Sequence, residues 1–241
     1  MKAIIYVAHG SKLEQTNQHF FDLIDTNTEV NDIDLQKLAF LEANPSLPQI
    51  IDECKAEGAT TLIVVPVFLL PGIHVNKDIP TIMRQKMNQY PTLSFYYAPA
   101  FNAANKLVED TYERIKKVVE KDTKQVVLVV SHGSRYRQAS TMFDVFITSL
   151  TSMLDDIPVY PAYLKTAKPS IEEQVSELET KDYSKIIVVP HFFSITMFSQ
   201  LVEDKLVQIT SKEWELVKGI DWNNKIKQLI KNQVTAAEKF Y

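Results

Sequence analysis

Two imidazoles and a carboxylate stand just past apolar runs in the first part of this sequence: His9 after "IIYVA", Glu42 after "LAFL" and His74 after "VVPVFLLPGI". Such a set can hold a divalent metal with coordination positions left open, and the same groups can accept protons. Imidazole as a class changes charge close to neutrality, which suits both tasks. The chain spells the first of these stretches nearly twice, "IIYVAHGS" at 4–11 and "VLVVSHGS" at 127–134. The second copy keeps a histidine, His132, but Phe198 stands where His74 would be, and the region matching Glu42 reads Lys165-Thr166. Only one half has the complete set. His132 therefore reads as a structural relic or a substrate contact, His191 as contact or packing, and His19 as a helical side chain outside any site.

The elements that must position these residues follow from the hydrophobic pattern. Apolar, β-branched runs at 2–8, 34–41, 60–68, 93–98, 125–131, 157–164 and 184–191 predict strands. Helical patterns fall between them, near 12–27, 46–57, 76–89, 103–121, 137–152, 169–179 and 198–211, and a last one at about 223–239 follows the short run "WELVKGI". Strands apolar at consecutive positions, such as "TLIVVPVFLL", are expected to be covered on both faces. The alternation predicts an α/β fold with mainly parallel sheets flanked by helices. The repeat extends further: "EANPSLPQIIDE" (42–53) recurs as "TAKPSIEEQVSE" (166–177), and Pro66 aligns with Pro190. Two similar domains are expected, 1–122 carrying the active site and 123–241 forming a cleft wall. They divide at "KDTK" (121–124), and the final helix may return to the first domain. In open α/β sheets ligands bind beyond the carboxyl ends of the strands, so the site is expected at that edge, in the cleft between the domains.

Composition removes several classes. A net charge of −4 gives no global attraction to nucleic acid or to an anionic membrane. One cysteine, Cys54, excludes an internal disulfide and a Cys-cluster metal site, and its helical apolar setting predicts a buried, inert thiol. The chain opens directly on a strand pattern, with no signal peptide and no apolar run of the ~20 residues a membrane span needs. A cytoplasmic location is expected. No phosphate-binding glycine loop or HExxH motif occurs.

The stretches "AHGS" with His9, "FLEANPSLPQII" with Glu42 and "PVFLLPGIHVNKDIP" with His74 closely resemble the sirohydrochlorin chelatases. These class II chelatases insert iron or cobalt into a tetrapyrrole. The likeness covers essentially the whole chain, as a two-domain form with its active pair in the N-terminal half, and "GIHVNKDIP" is its most specific element. The resemblance implies that His9 and His74 bind the incoming metal, that His9 also removes pyrrole protons, and that Glu42 is a third metal or proton-handling group. Divalent metal, Fe2+ or Co2+, is then a substrate, and no permanent cofactor is required. The implied partners are a tetrapyrrole and the metal, with no nucleic acid or membrane; the oligomeric state is left open, a monomer being compatible with the sequence. Sirohydrochlorin is a polycarboxylate, so positive groups should line the site: Lys12 beside Ser11, Arg135 and Arg137 after the second HGS, Lys77 and Lys168. Leu69, Leu70, Pro71, Gly72 and Ile73 would supply an apolar wall and flexible backbone, and Phe192, Phe193 and Phe198 a cover.

The implied reaction joins Fe2+ and sirohydrochlorin to give siroheme and two protons. Cobalt insertion, toward cobalamin, is the near alternative, because imidazole and carboxylate accept several first-row metals. A non-catalytic tetrapyrrole or metal carrier is a second class, needing the histidines but no turnover. A histidine phosphotransferase or phosphatase, suggested by strand-His-Gly alone, is disfavoured because no arginine adjoins His9 to hold phosphate.

Overall fold

Ile4, Ile5, Tyr6 and Val7 are consecutive and all fully buried, so the strand that carries them, β1 (Lys2–Ala8), is covered on both faces. The computed structural model describes residues 1–27, 33, 35–102, 104–193, 198–220 and 224–239. The side chain of His19 lies outside the described residues. Contacts divide the chain into two units, 1–102 with 222–241, and 103–221.

In the first unit β1 pairs in parallel with β2 (Leu35–Phe40) and β3 (Thr61–Pro66), and β3 with β4 (Ser94–Tyr97), giving the order β2-β1-β3-β4. Side chains alternate across a strand. Ile5, Val7, Leu62 and Val64 share one core with Leu47, Ile51 and Cys54 of α2 (Leu47–Ala56) and Ile79 and Met83 of α3 (Ile79–Gln89). Burial pushes the Cys54 thiol up to about 11, which keeps it protonated and inert. Ser46 and Gln49 close a capping box at the start of α2, the Ser46 N–H donating to Gln49 Oε1 at 2.9 Å. α1 (Glu14–Asn27) packs on β2. The last helix, α8 (Asn224–Lys239), packs on β3 and β4 through buried Ile226, Leu229, Ile230 and Val234, with Gln233 Nε2 donating to the Pro99 carbonyl at 2.6 Å.

The second unit repeats the order as β6-β5-β7-β8, from β5 (Gln125–Ser131), β6 (Val159–Tyr163), β7 (Lys185–Pro190) and β8 (Glu213–Leu216), again all parallel. β8 takes in the "WEL" part of the short run left without an element in the sequence reading. Val126, Leu128, Val130, Ile186 and Val188 form a core with α6 (Ile171–Glu179) and α7 (Phe198–Ile209). α4 (Asn105–Lys116) and α5 (Arg137–Leu154) pack on each other, and α4 lies on β7. The expected division at 121–124 thus falls inside this unit, because α4 follows β4 in sequence yet is housed with the second sheet. α8, which follows β8, is housed with the first. Each repeat gives its last helix to the other.

Candidate metal centre

The first sheet changes winding direction between β1 and β3, the place where open parallel sheets leave a crevice beyond their carboxyl ends. His9 follows β1, Glu42 follows β2 and His74 follows β3, so the sheet order alone brings them to one edge. Local bonds refine this. Beyond the strand ends the Leu41 N–H still donates to the Ala8 carbonyl at 3.1 Å and the Glu42 N–H to the His9 carbonyl at 2.8 Å. Gly10 permits that close approach: it turns at φ +84, and a Cβ there would stand 2.9 Å from the Cβ atoms of Phe40 and Ala43.

His74 opens a five-residue π-helical turn, His74–Asp78, in which the Ile79 N–H reaches back to the His74 carbonyl. The turn is pinned from several sides. Asn76 Nδ2 donates to the Gly72 carbonyl at 3.0 Å and to that of Pro71, and the Tyr97 hydroxyl donates to the Val75 carbonyl at 2.7 Å. Burial raises the Tyr97 phenol well above its ordinary value, so it stays a donor. π-helical turns are rare and cluster at functional positions.

His9 Nε2 lies 3.7 Å from Glu42 Oε1, and the His9 and His74 rings meet edge-on, 4.7 Å apart at 89°. One ligand atom from each of His9, Glu42 and His74 lies within 4.8 Å of the others. Bonds of about 2.0–2.2 Å to a shared ion need donors at most some 4 Å apart, so modest side-chain rotation closes the set. His9 and Glu42 are exposed, whereas His74 is half-buried against Phe68, ring to ring at 5.9 Å. The two tautomers are fixed by neighbours that only accept. His9 Nδ1 donates to the Gly10 carbonyl at 3.0 Å, and His74 Nδ1 to Asp78 Oδ2 at 2.8 Å. Each Nε2 therefore keeps its lone pair for a metal or a proton.

Around this triad Pro71 is buried, Leu69, Leu70 and Gly72 are half-buried, and Ile73 and Leu13 are unusually exposed for their size, at 44% and 47%. Lys12 and Lys77 are exposed. Ser11 is occupied locally, its N–H donating to Asn17 Oδ1 at 2.8 Å and its hydroxyl accepting from the Leu13 N–H at 3.1 Å. Arg135 and Arg137 are exposed in the second unit, while Lys168 is paired there with Glu173. Phe192 and Phe193 are buried, Phe192 in the second core. Among the described residues no carboxylate pairs with His132, whose ring meets Phe198 at 5.2 Å. His191 is packed between Phe143 and Phe146 at 5.3 and 4.4 Å, and among the described residues neither of its nitrogens has a partner. Asp78, Asn76 and Tyr97 were absent from the sequence reading; only the His-to-Asp spacing of four in "HVNKD" pointed to one of them.

The family model described as CbiX matches residues 3–118 and 126–237. The chain belongs to the CbiX family. Among CbiX relatives, the sirohydrochlorin ferrochelatase of Priestia megaterium is 24% identical over 238 residues, covering 97% of this chain and 90% of that protein. The sirohydrochlorin cobaltochelatase of Priestia megaterium is 24% identical over 247 residues, covering 97% and 79%. The solved structure of SirB from Bacillus subtilis with Fe3+ superposes with a TM-score of 0.89 at 25% identity, over 99% of this chain and 96% of that one. The two four-stranded parallel sheets flanked by helices are thus the CbiX architecture. Among the described residues no helix is long and apolar enough to cross a membrane.

Proposed function

We propose that this chain is a sirohydrochlorin ferrochelatase, inserting Fe2+ into sirohydrochlorin to give siroheme and two protons. The observation that carries the reading is the triad His9, Glu42 and His74, with two Nε2 lone pairs and a carboxylate converging at an exposed sheet edge. The ferrochelatase relative spanning nearly the whole chain supports the choice of macrocycle and metal.

The geometry suggests how cation and proton traffic are coupled. His9, His74 and Glu42 deliver the metal through open coordination positions. As the ion passes to the macrocycle nitrogens, each Nε2 it leaves regains a lone pair. Two pyrrole N–H protons must depart at that stage, so His9 is the first acceptor. Glu42, 3.7 Å away and the most exposed of the three, takes each proton in turn from His9 and passes it to solvent, which frees His9 for the second. Ile73, Leu69 and Leu70, with Pro71 and Gly72, give the flat ring an apolar seat, and Ser11 and Lys12 address its carboxylates. One chain carries all the donors, so a monomer suffices, and the cytoplasm is its place of action.

Imidazole and carboxylate do not separate iron from cobalt, and a cobaltochelatase relative also spans the chain. Purified protein, sirohydrochlorin and Fe2+ mixed without oxygen and followed by absorbance test the reading. Many turnovers per chain support the enzyme; a single stoichiometric event would identify a carrier. Iron and cobalt offered together at controlled free concentrations then assign the metal.

A further inference from the structure

The second sheet rebuilds the edge of the first, position for position. Val130 pairs with Pro190 as Val7 pairs with Pro66. The Lys165 N–H donates to the His132 carbonyl at 2.9 Å, as that of Glu42 does to His9 at 2.8 Å. Gly133 turns at φ +88 where Gly10 turns at +84, and a Cβ on Gly133 would stand 1.9 Å from the Lys165 carbonyl oxygen. The rings follow the same plan. His132 meets Phe198 at 5.2 Å as His9 meets His74 at 4.7 Å. Phe192 lies 5.0 Å from Phe198 at 31°, where Phe68 lies 5.9 Å from His74 at 34°.

On this shared frame two of the three donors differ, and in a directed way. Phe198 in place of His74 deletes a nitrogen ligand. Lys165 in the backbone position of Glu42 replaces a carboxylate by an ammonium, which repels a cation next to His132. Arg135 and Arg137 add two more positive charges just after the same glycine turn. Lys165, Arg135 and Arg137 are all exposed, and no carboxylate pairs with any of them among the described residues. Lys168, near the same edge, is neutralised by Glu173.

We propose that this second edge is an anion site that takes carboxylate groups through Lys165, Arg135 and His132 and has no affinity for metal. It deepens the functional reading above, since the ligand it suits there is the polycarboxylate macrocycle. A guanidinium after β5 and an ammonium after β6, at one sheet edge, can give charge-assisted hydrogen bonds to carboxylate oxygens, and truncating one such bond costs about tenfold in affinity.

The test titrates metal-free sirohydrochlorin, by absorbance, into the wild-type chain and its variants. Lys165→Glu and Arg135→Glu should each weaken binding about tenfold or more at low salt. Lys124→Glu, the same charge change on a lysine paired with Asp182, should leave it unchanged. All variants should bind one Co2+ per chain with wild-type affinity. Wild-type affinity in both edge variants, or a second wild-type Co2+ that His132→Ala removes, would overturn the proposal. Thermal stabilisation by citrate, lost in Lys165→Glu, serves as an independent arm. If wild type binds no macrocycle but shows that citrate effect, the macrocycle reading fails and the site belongs to a free carboxylate; absence of both effects rejects the anion site itself.

Discussion

Asp78 Oδ2 lies 2.8 Å from His74 Nδ1, one π-helical turn further along the chain, and accepts the proton that fixes which His74 nitrogen faces outward. A carboxylate behind a metal-facing imidazole orients the ring and raises its basicity. Asp78→Ala should weaken Co2+ binding about 10–100-fold. Asp78→Asn, which keeps a carbonyl oxygen to accept from Nδ1, should lose much less. Both groups are partly exposed, so the urea unfolding midpoint should hold. Cobalt spectra read the first effect; equal losses in the two variants would show that the bond does not orient the ring.

His9→Ala and His74→Ala should each lower the rate of metal insertion at least about a hundredfold, since each removes a ligand and a proton acceptor at once. His132→Ala should do far less to insertion, because Phe198 and Lys165 give His132 no partner for a cation. Steady-state insertion rates check this. A severe His132→Ala and a mild His74→Ala would place the metal in the other half.

The equivalence of the two edges allows a metal site to be built. Lys165→Glu combined with Phe198→His should raise Co2+ binding from one to two ions per chain in equilibrium dialysis. The new site should be the weaker one, because Val202, buried in the second core, stands four residues after Phe198 where Asp78 stands after His74. One ion per chain in this variant would mean that the shared backbone does not carry shared donor geometry.

Burial, with repulsion from the Arg114 guanidinium, pushes the His191 imidazole down to about 3. An unfolded chain takes up that proton near pH 6.5. The stability held by the neutral ring is therefore complete above about pH 6.5 and is lost as pH falls toward 3, at roughly 1.4 kcal/mol per unit. Val67 fills the matching place in the first unit, its N–H bonded to Val7 as that of His191 is to Val130, both at 2.8 Å. An apolar side chain therefore fits there. His191→Leu should match or exceed wild type at pH 7 and lose about 2 kcal/mol less between pH 6.5 and 5. Urea unfolding at both pH values measures the difference, and parallel loss in the two proteins would refute the account.

Strand positions and the meeting of His9, Glu42 and His74 at one sheet edge were legible because they rest on short-range signals: continuous apolar runs mark doubly covered strands, and each of the three residues follows one. The repeat on Pro66 and Pro190 was legible for the same reason, and it reappears in the strand registers. Asp78 was not, because "HVNKD" reads as the approach to an α-helix and nothing in it announces a π turn. Lys168 read as one of the positive groups lining the site, but it is paired with Glu173, which also closes the cap on Ser170 by accepting its N–H at 2.7 Å. His191 read as an even choice between contact and packing; the decision belongs to Phe143 and Phe146, which reach it from a helix far away in sequence. The housing of α4 and α8 was equally hidden, since an amphipathic helix does not state which sheet it covers.

That reciprocal loan of helices has a consequence for the order in which the molecule matures. During synthesis the strands that lead to His9, Glu42 and His74 leave the ribosome well before α8, the helix that lies on β3 and β4. Until residues 222–241 emerge, the early sheet keeps an oily flank open to water and to chaperones. The earlier sheet thus waits for a segment translated after the later sheet, and a chain stopped short of that segment would leave β3 and β4 uncovered.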